Sequence, residues 1–224
     1  MKVIGINGSP KGKNSQTLRL VQAALDGARE AGADVEFVDV CTLDIEYCTG
    51  CGTCYETGEC VQADDFTTIY DRIMAADGIV LGSPNYIDSV TAQLKTLIDR
   101  MADAIHCQML TGKYGCAVCT TGGSGEDLVI DYLNTKVLNR LGAVTVGGVG
   151  IALGRNPAGL PDAERRARDL GRTLAEAIRT ERRYPDQEAA LAAQRAYFCA
   201  LVRGNKDRWM HEYEYWNLQG GIKE

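Results

Sequence analysis

Strand and helix signals alternate through the first 155 residues, and this alternation restricts the fold more than any other property of the chain. Val3–Ser9 is a short apolar run ending in Gly, Ser and Pro, the pattern of a buried strand. Asn14–Ala31 reads as a helix with Leu18, Val21, Leu25 and Ala28 on one face. Further strands are predicted at Asp34–Val40, Gly78–Ser83, Tyr114–Thr120 and Ala143–Leu153. Helical spacing relates Phe66, Ile69, Ile73 and Ala76, then Leu94, Leu97, Met101 and Ile105, then Ile130, Leu133, Val137 and Leu141. Asp64 or Asp65 is the expected N-cap of the first of these three helices. Crossovers between parallel strands are right-handed and place their helices on the sheet faces. The expectation is an α/β fold, a doubly wound five-stranded parallel sheet in the order 2-1-3-4-5.

The pattern changes after Arg155-Asn156-Pro157. Pro161–Arg183 reads as one long charged helix that completes the sandwich, and its run Glu164–Arg168 as a solvated face. Pro185 breaks it, and Asp186–Arg203 reads as an alanine-rich helix. Trp209, Tyr213, Tyr215 and Trp216 crowd the following segment. The chain thus divides into a domain at 1–184 and a helical, aromatic-rich extension at 185–224. Aromatics gathered in this way favour docking against the body or a partner subunit.

Four cysteines fall within thirteen residues, as Cys48-Thr-Gly-Cys51-Gly-Thr-Cys54-Tyr-Glu-Thr-Gly-Glu-Cys60. Four thiolates can close a 4Fe–4S cluster. Zinc sites more often use Cys pairs set well apart, so the compact spacing suits the corners of a cubane better than one tetrahedral ion. Zinc, free thiols and disulfides remain alternatives to that reading. The remaining cysteines lack such a pattern. Cys116 and Cys119 lie in one predicted strand, where residues three apart face opposite sides. Cys41, Cys107 and Cys199 read as packing residues, and His106 and His211 stand in no metal-ligand spacing.

The first strand–helix junction is Gly8-Ser9-Pro10-Lys11-Gly12-Lys13-Asn14-Ser15-Gln16-Thr17. It is rich in hydroxyl, amide and glycine positions and runs into a helix N-terminus, which favours an anion. Asn7 and Asn14 replace the Gly and Ser/Thr of a nucleotide P-loop, and no G-x-G-x-x-G follows the strand. What remains suits a single terminal phosphate, such as that of FMN. Gly82-Ser83-Pro84-Asn85-Tyr86 and Thr120-Thr121-Gly122-Gly123-Ser124-Gly125 end two further strands, which places all three loops on one sheet edge. Tyr86 offers an aromatic surface to a flat ring. The cysteine loop leaves the second strand on the same edge.

Composition narrows the class further. The net charge of −6 argues against nucleic-acid binding. No apolar run is long enough to span a bilayer. The first residues form a strand and not a signal peptide, so nine cysteines read as thiols or metal ligands of a reducing cytoplasm.

Together, the Gly-Ser-Pro…Asn-Ser-Gln-Thr loop, the cysteine motif, the Gly-Ser-Pro-Asn-Tyr loop and the Thr-Thr-Gly-Gly segment resemble the iron–sulfur flavoproteins. These belong to the NADPH-dependent FMN reductase group of the flavodoxin-like superfamily. The resemblance covers about residues 1–155, and the cysteine motif is its most specific part. It implies one FMN and one 4Fe–4S cluster per subunit. Cys48, Cys51, Cys54 and Cys60 match the cluster ligands. Ser9, Lys11, Asn14, Ser15, Gln16 and Thr17 match the phosphate positions. Ser83, Pro84, Asn85, Tyr86, Thr121, Gly122 and Gly123 match the ring and ribityl positions. It further implies a homodimer or homotetramer, a ferredoxin-like or NAD(P)H electron donor, and a small acceptor such as a quinone, dioxygen or peroxide. Two alternatives are a protein-to-protein electron carrier and an FMN reductase whose cysteines hold no cluster.

Overall fold

A computed structural model describes residues 1–221. The strands are β1 (Lys2–Asn7), β2 (Asp34–Asp39), β3 (Gly78–Pro84), β4 (Tyr114–Thr121) and β5 (Val144–Ala152). They form one sheet in the order β2-β1-β3-β4-β5, every pairing parallel, as the alternation predicts. The helices are α1 (Gln16–Glu30), α2 (Thr53–Thr57), α3 (Phe66–Met74), α4 (Ala92–Asp99), α5 (Ala102–His106), α6 (Glu126–Asp131), α7 (Leu160–Arg179), α8 (Pro185–Gly204) and α9 (Met210–Leu218).

The two-residue period of the strands distributes their side chains to two cores. Ile4, Ile6, Ile79, Leu81, Ala117 and Cys119 face α3, α4, α5 and α6. Val3, Val80, Cys116 and Val118 face α1 and α7. Cys116 and Cys119 thus lie on opposite sides of β4, and burial pushes both thiols up to about 12. Within α1 the buried stripe is Thr17, Leu20, Val21, Ala24, Leu25 and Ala28, while Leu18 is only half-buried.

α1 and α7 cross at backbone contact. A Cβ on Gly27 would stand 1.8 Å from the Arg168 carbonyl oxygen, and one on Gly171 would stand 1.8 Å from that of Ala24. The charge run of α7 remains solvated but is paired across this crossing, with Arg19 to Glu164 and Arg168 to Glu30.

Local structure departs from the sequence expectations in four places. The helix expected through Leu94 and Ile105 is two helices, broken at Arg100–Met101. The one expected through Ile130 and Leu141 is α6 followed by a π-helical stretch, Tyr132–Leu138. α7 ends at Arg179, short of Arg183, and Glu181 beyond it takes a positive φ of 47°. Asp65 makes no side-chain cap to α3; its carboxylate accepts from the Asp44 N–H, while Asp64 accepts from that of Phe66.

The extension is tied to the body through side-chain amides. Gln187 of α8 accepts from the Thr145 N–H at 2.9 Å and donates to the Thr145 carbonyl at 2.7 Å, filling the place of a neighbouring strand on β5. Gln194 donates to the Asn139 carbonyl and to the buried Gln108 amide, at 2.6 and 2.9 Å. Phe198, Val202 and Trp216 form a third core, packed against Ile105. Residues 222–224 of the 185–224 segment lie outside the described residues.

Candidate functional site

Three loops meet at the C-terminal ends of β1, β3 and β4. The Gly8 N–H donates to the Gly82 carbonyl at 2.8 Å, and Thr91 Oγ1 donates to the Gly8 carbonyl at 2.6 Å. The Thr91 N–H in turn reaches Ser83 Oγ at 3.1 Å. Thr17 Oγ1 and Thr120 Oγ1 share a buried hydrogen bond of 2.7 Å, and the Asn85 N–H donates to the Thr120 carbonyl at 2.8 Å. This lattice presents the loops as one rim.

Within the rim the expected phosphate residues divide by exposure. Ser9, Ser15 and Thr17 are buried, whereas Lys11 and Asn14 are exposed and Gln16 is half-buried. Ser15 caps α1 by accepting from the Leu18 N–H at 3.0 Å. The first-turn N–H groups of a helix lack intrahelical partners, so α1 presents donors here together with the positive end of its dipole. Asn7 braces the loop from below, accepting from the Ser9 N–H at 3.3 Å.

The second half of the rim carries the expected ring and ribityl residues. Ser83 is buried and donates to the Pro84 carbonyl. Asn85 donates to the Ser124 carbonyl at 2.8 Å, while its buried Oδ1 has no partner. Thr121 donates to the same Ser124 carbonyl at 2.9 Å. A Cβ on Gly122 or Gly123 would meet nothing within 4 Å. Tyr86 is 43% exposed and opens a tight turn in which Ile87 and Asp88 both take positive φ, 53° and 56°. An orphan acceptor, free helix N–H groups and open space over two glycines are what an FMN phosphate, ribityl chain and ring require. The residues present fit that group.

The cysteine loop leaves β2 on the same edge. All four thiols line one cavity together with Arg100. Cys48 and Cys51 are exposed, and Cys54 and Cys60 are half-buried. Among the described residues no three Cys, His, Asp or Glu side chains are gathered as for a metal ion. The sulfurs nevertheless receive donors: the Gly50 N–H reaches Cys48 Sγ at 3.4 Å, and Arg100 Nη2 reaches Cys60 Sγ at 3.1 Å. Thr53 backbone hydrogen bonding holds the Cys51 thiol below its ordinary range, and burial pushes Cys54 up to about 12. Four thiols in one cavity, with N–H donors to Cys48, Cys51 and Cys60, fit a cubane cluster by donor chemistry.

Behind the loop lies the aromatic extension. Trp209 stacks on His106 at 4.8 Å, and Tyr55 of α2 packs on both rings. A Cβ on Gly58 would stand 2.5 Å from the His211 ring. The extension is therefore the seat of the cysteine loop.

Several residues of this region were not singled out by sequence. Thr91 carried a usable signal, a hydroxyl residue directly before a helix. Arg100, Asp103 and Glu212 carried none, because their partners are distant in the chain, and Asp64 was expected only as a helix cap. Asp103 accepts from Tyr70 Oη at 2.6 Å, and burial pushes its carboxyl above the usual range.

Comparison with known proteins agrees with this geometry. The model of the NADPH-dependent FMN reductase family matches residues 1–157. The chain belongs to that family. Like other members it is an oxidoreductase. It is 36% identical to an iron–sulfur flavoprotein of Archaeoglobus fulgidus, over 99% of this chain and 100% of that protein. Among solved structures it superposes on the NAD(P)H:quinone oxidoreductase of Methanothermobacter marburgensis with a TM-score of 0.61, at 18% identity, over 78% of this chain and 98% of the other. A flavodoxin from the domain Archaea superposes with a TM-score of 0.55, at 18% identity, over 80% and 99% of the two chains. These two likenesses show the family's flavodoxin-like fold. No helix among the described residues is long and apolar enough to cross a membrane.

Proposed function

We propose that the chain carries one FMN at the rim and one 4Fe–4S cluster on Cys48, Cys51, Cys54 and Cys60. In this reading it passes electrons from a reduced ferredoxin-like carrier or NAD(P)H to a small acceptor such as a quinone, dioxygen or peroxide. The observation that carries the reading is the common edge: a loop with four thiols in one cavity leaves β2 beside the rim built on β1, β3 and β4.

When bound, FMN supplies hydride and single-electron chemistry and the cluster supplies single-electron transfer. The protein's part is to hold and to tune. Ser9, Lys11, Asn14, Ser15, Gln16 and Thr17 hold the phosphate, Lys11 by charge and the others by hydroxyl, amide and helix N–H groups. Ser83, Pro84, Asn85, Tyr86, Thr121, Gly122 and Gly123 hold the ribityl chain and ring, with the free Asn85 Oδ1 accepting a hydrogen bond. The segment 185–224 is an extension of the 1–184 domain, and its Trp209 and His211 seat the cysteine loop. The working form is a cytoplasmic homodimer or homotetramer.

Anaerobic purification with iron, sulfide and flavin analysis tests the reading. About four irons and four sulfides per chain are expected, with FMN. Cys51→Ala loses the iron and keeps the flavin. One zinc, or no metal, overturns the cluster and leaves an FMN reductase with free thiols. The 43% exposure of Tyr86 favours a second reading, a protein-to-protein carrier. Steady-state quinone turnover at catalytic protein levels separates the two.

A further inference from the structure

The cysteine loop is closed at both ends by one buried cation. Arg100 follows the last turn of α4, and its side chain is only 1% exposed. Its Nη1 donates to the Glu46 carbonyl at 2.8 Å, two residues before Cys48. Its Nη2 donates to Cys60 Sγ at 3.1 Å, the last thiol of the motif. Between these contacts the guanidinium is held by Asp64, at 2.7 Å from Nη1 and 3.2 Å from Nη2, and it lies 4.5 Å from the centre of the Phe66 ring. Asp64 is fixed in turn by the N–H groups of Glu46 and Phe66, at 2.9 and 3.0 Å. The assembly therefore leaves the guanidinium no freedom to turn away from the sulfur.

We infer that Arg100 is a positioning residue for the cluster, holding Cys60 at its corner and favouring the reduced state of the centre. The inference rests on the cluster reading above. Reduction adds one electron, and therefore one negative charge, to the centre that Cys60 ligates. A buried cation donating to that sulfur stabilises the added charge, and solvent does little to screen it. Asp64 opposes this effect electrostatically while it fixes the fork. The two halves of the pair thus act on the centre with opposite sign, although both serve the fold.

That opposition separates tuning from simple bracing. Anaerobic redox titration of the purified holoprotein, followed by the EPR signal of the reduced cluster, reads it out. Arg100→Gln shifts the equilibrium about tenfold toward the oxidised form, about 59 mV downward for a one-electron couple. Asp64→Asn shifts it upward. Both variants lower the melting temperature. If Arg100→Gln does not fold, R100M/D64N removes both charges without stranding either, and a downward shift is expected from the lost N–H···S bond. Redox equilibria within twofold of wild type in every folded variant, with lowered melting temperatures, overturn the inference and leave Arg100 a structural brace. No iron in the anaerobically purified wild type overturns the cluster reading, and this inference with it.

Discussion

His106 Nδ1 lies 3.0 Å from Oε1 of Glu212, a carboxylate with no exposed surface at all. The pair joins α5 to α9, and the indole of Trp216 adds a hydrogen bond of 3.1 Å to the His106 carbonyl. Burial pushes the Glu212 carboxyl above its usual range, and His106 offsets this only in part. A raised folded-state value means that the unfolded chain ionises first as pH rises. Stability from this group is therefore greatest below the ordinary glutamate range and falls as pH climbs through the raised value. Glu212→Gln keeps an acceptor for His106 and removes the ionisation. Urea unfolding at about pH 5 and about pH 8 is expected to show a flatter pH dependence in the variant, with its advantage confined to the higher pH. An equal pH slope in both proteins would refute it.

The α1–α7 crossing leaves no room for a side chain. Gly171→Ala forces its methyl group into the Ala24 carbonyl, and the backbone cannot give way as a flexible side chain would. The expected loss is about 3 kcal/mol, at the upper end of ordinary overpacking, read as a lowered urea midpoint. Gly204→Ala is the control, since a Cβ there meets nothing within 4 Å.

Thr17 and Thr120 satisfy each other's hydroxyls inside the rim. Thr17→Val strands the Thr120 hydroxyl in a buried site and costs about 1–3 kcal/mol. Replacing both with Val removes the stranded group, so the double variant is expected to recover part of the loss. A double-mutant cycle by urea unfolding measures the coupling. Additive losses would show that the two hydroxyls are not coupled.

The turn after Tyr86 stores strain. Ile87 and Asp88 both occupy the left-handed region, which a β-branched side chain disfavours, and Ile87 is fully exposed. I87N/D88G suits the turn and is expected to add about 1 kcal/mol, or roughly 2–4 °C in melting temperature. Flavin affinity, measured by fluorescence quenching on titration, reports whether the strained turn also shapes the rim. An unchanged melting temperature would show that the turn carries no strain.

The sheet was legible because its signals are local. Val3–Ser9 and Gly78–Ser83 are apolar runs closed by turn residues, and the intervening helices repeat at helical spacing. Crossover handedness then leaves few strand orders. The rim was legible for the same reason, since the loops that end β1, β3 and β4 must share an edge. What escaped was set by distance along the chain. Nothing around Asp64 announces a partner at Arg100, so a helix cap was the natural expectation for it. The break after α4 lies at Arg100 itself, where the side chain turns inward to the Cys60 sulfur. The aromatic cluster was visible as a cluster, but its docking site on Tyr55 and Gly58 had no sequence signature.

The contact between α9 and the cysteine loop also sets an order of events during synthesis. The thiols leave the ribosome early, while Trp209, His211 and Glu212 follow only after the whole sheet has been made. Domains fold from the N-terminal side as they emerge. Until the later helices arrive, Tyr55 and Gly58 lack their packing partners and the loop stays open to its surroundings. The seat of the cysteine loop is therefore the last part of the fold to form, and a chain stalled before α9 holds the loop without the packing of His211 on Gly58.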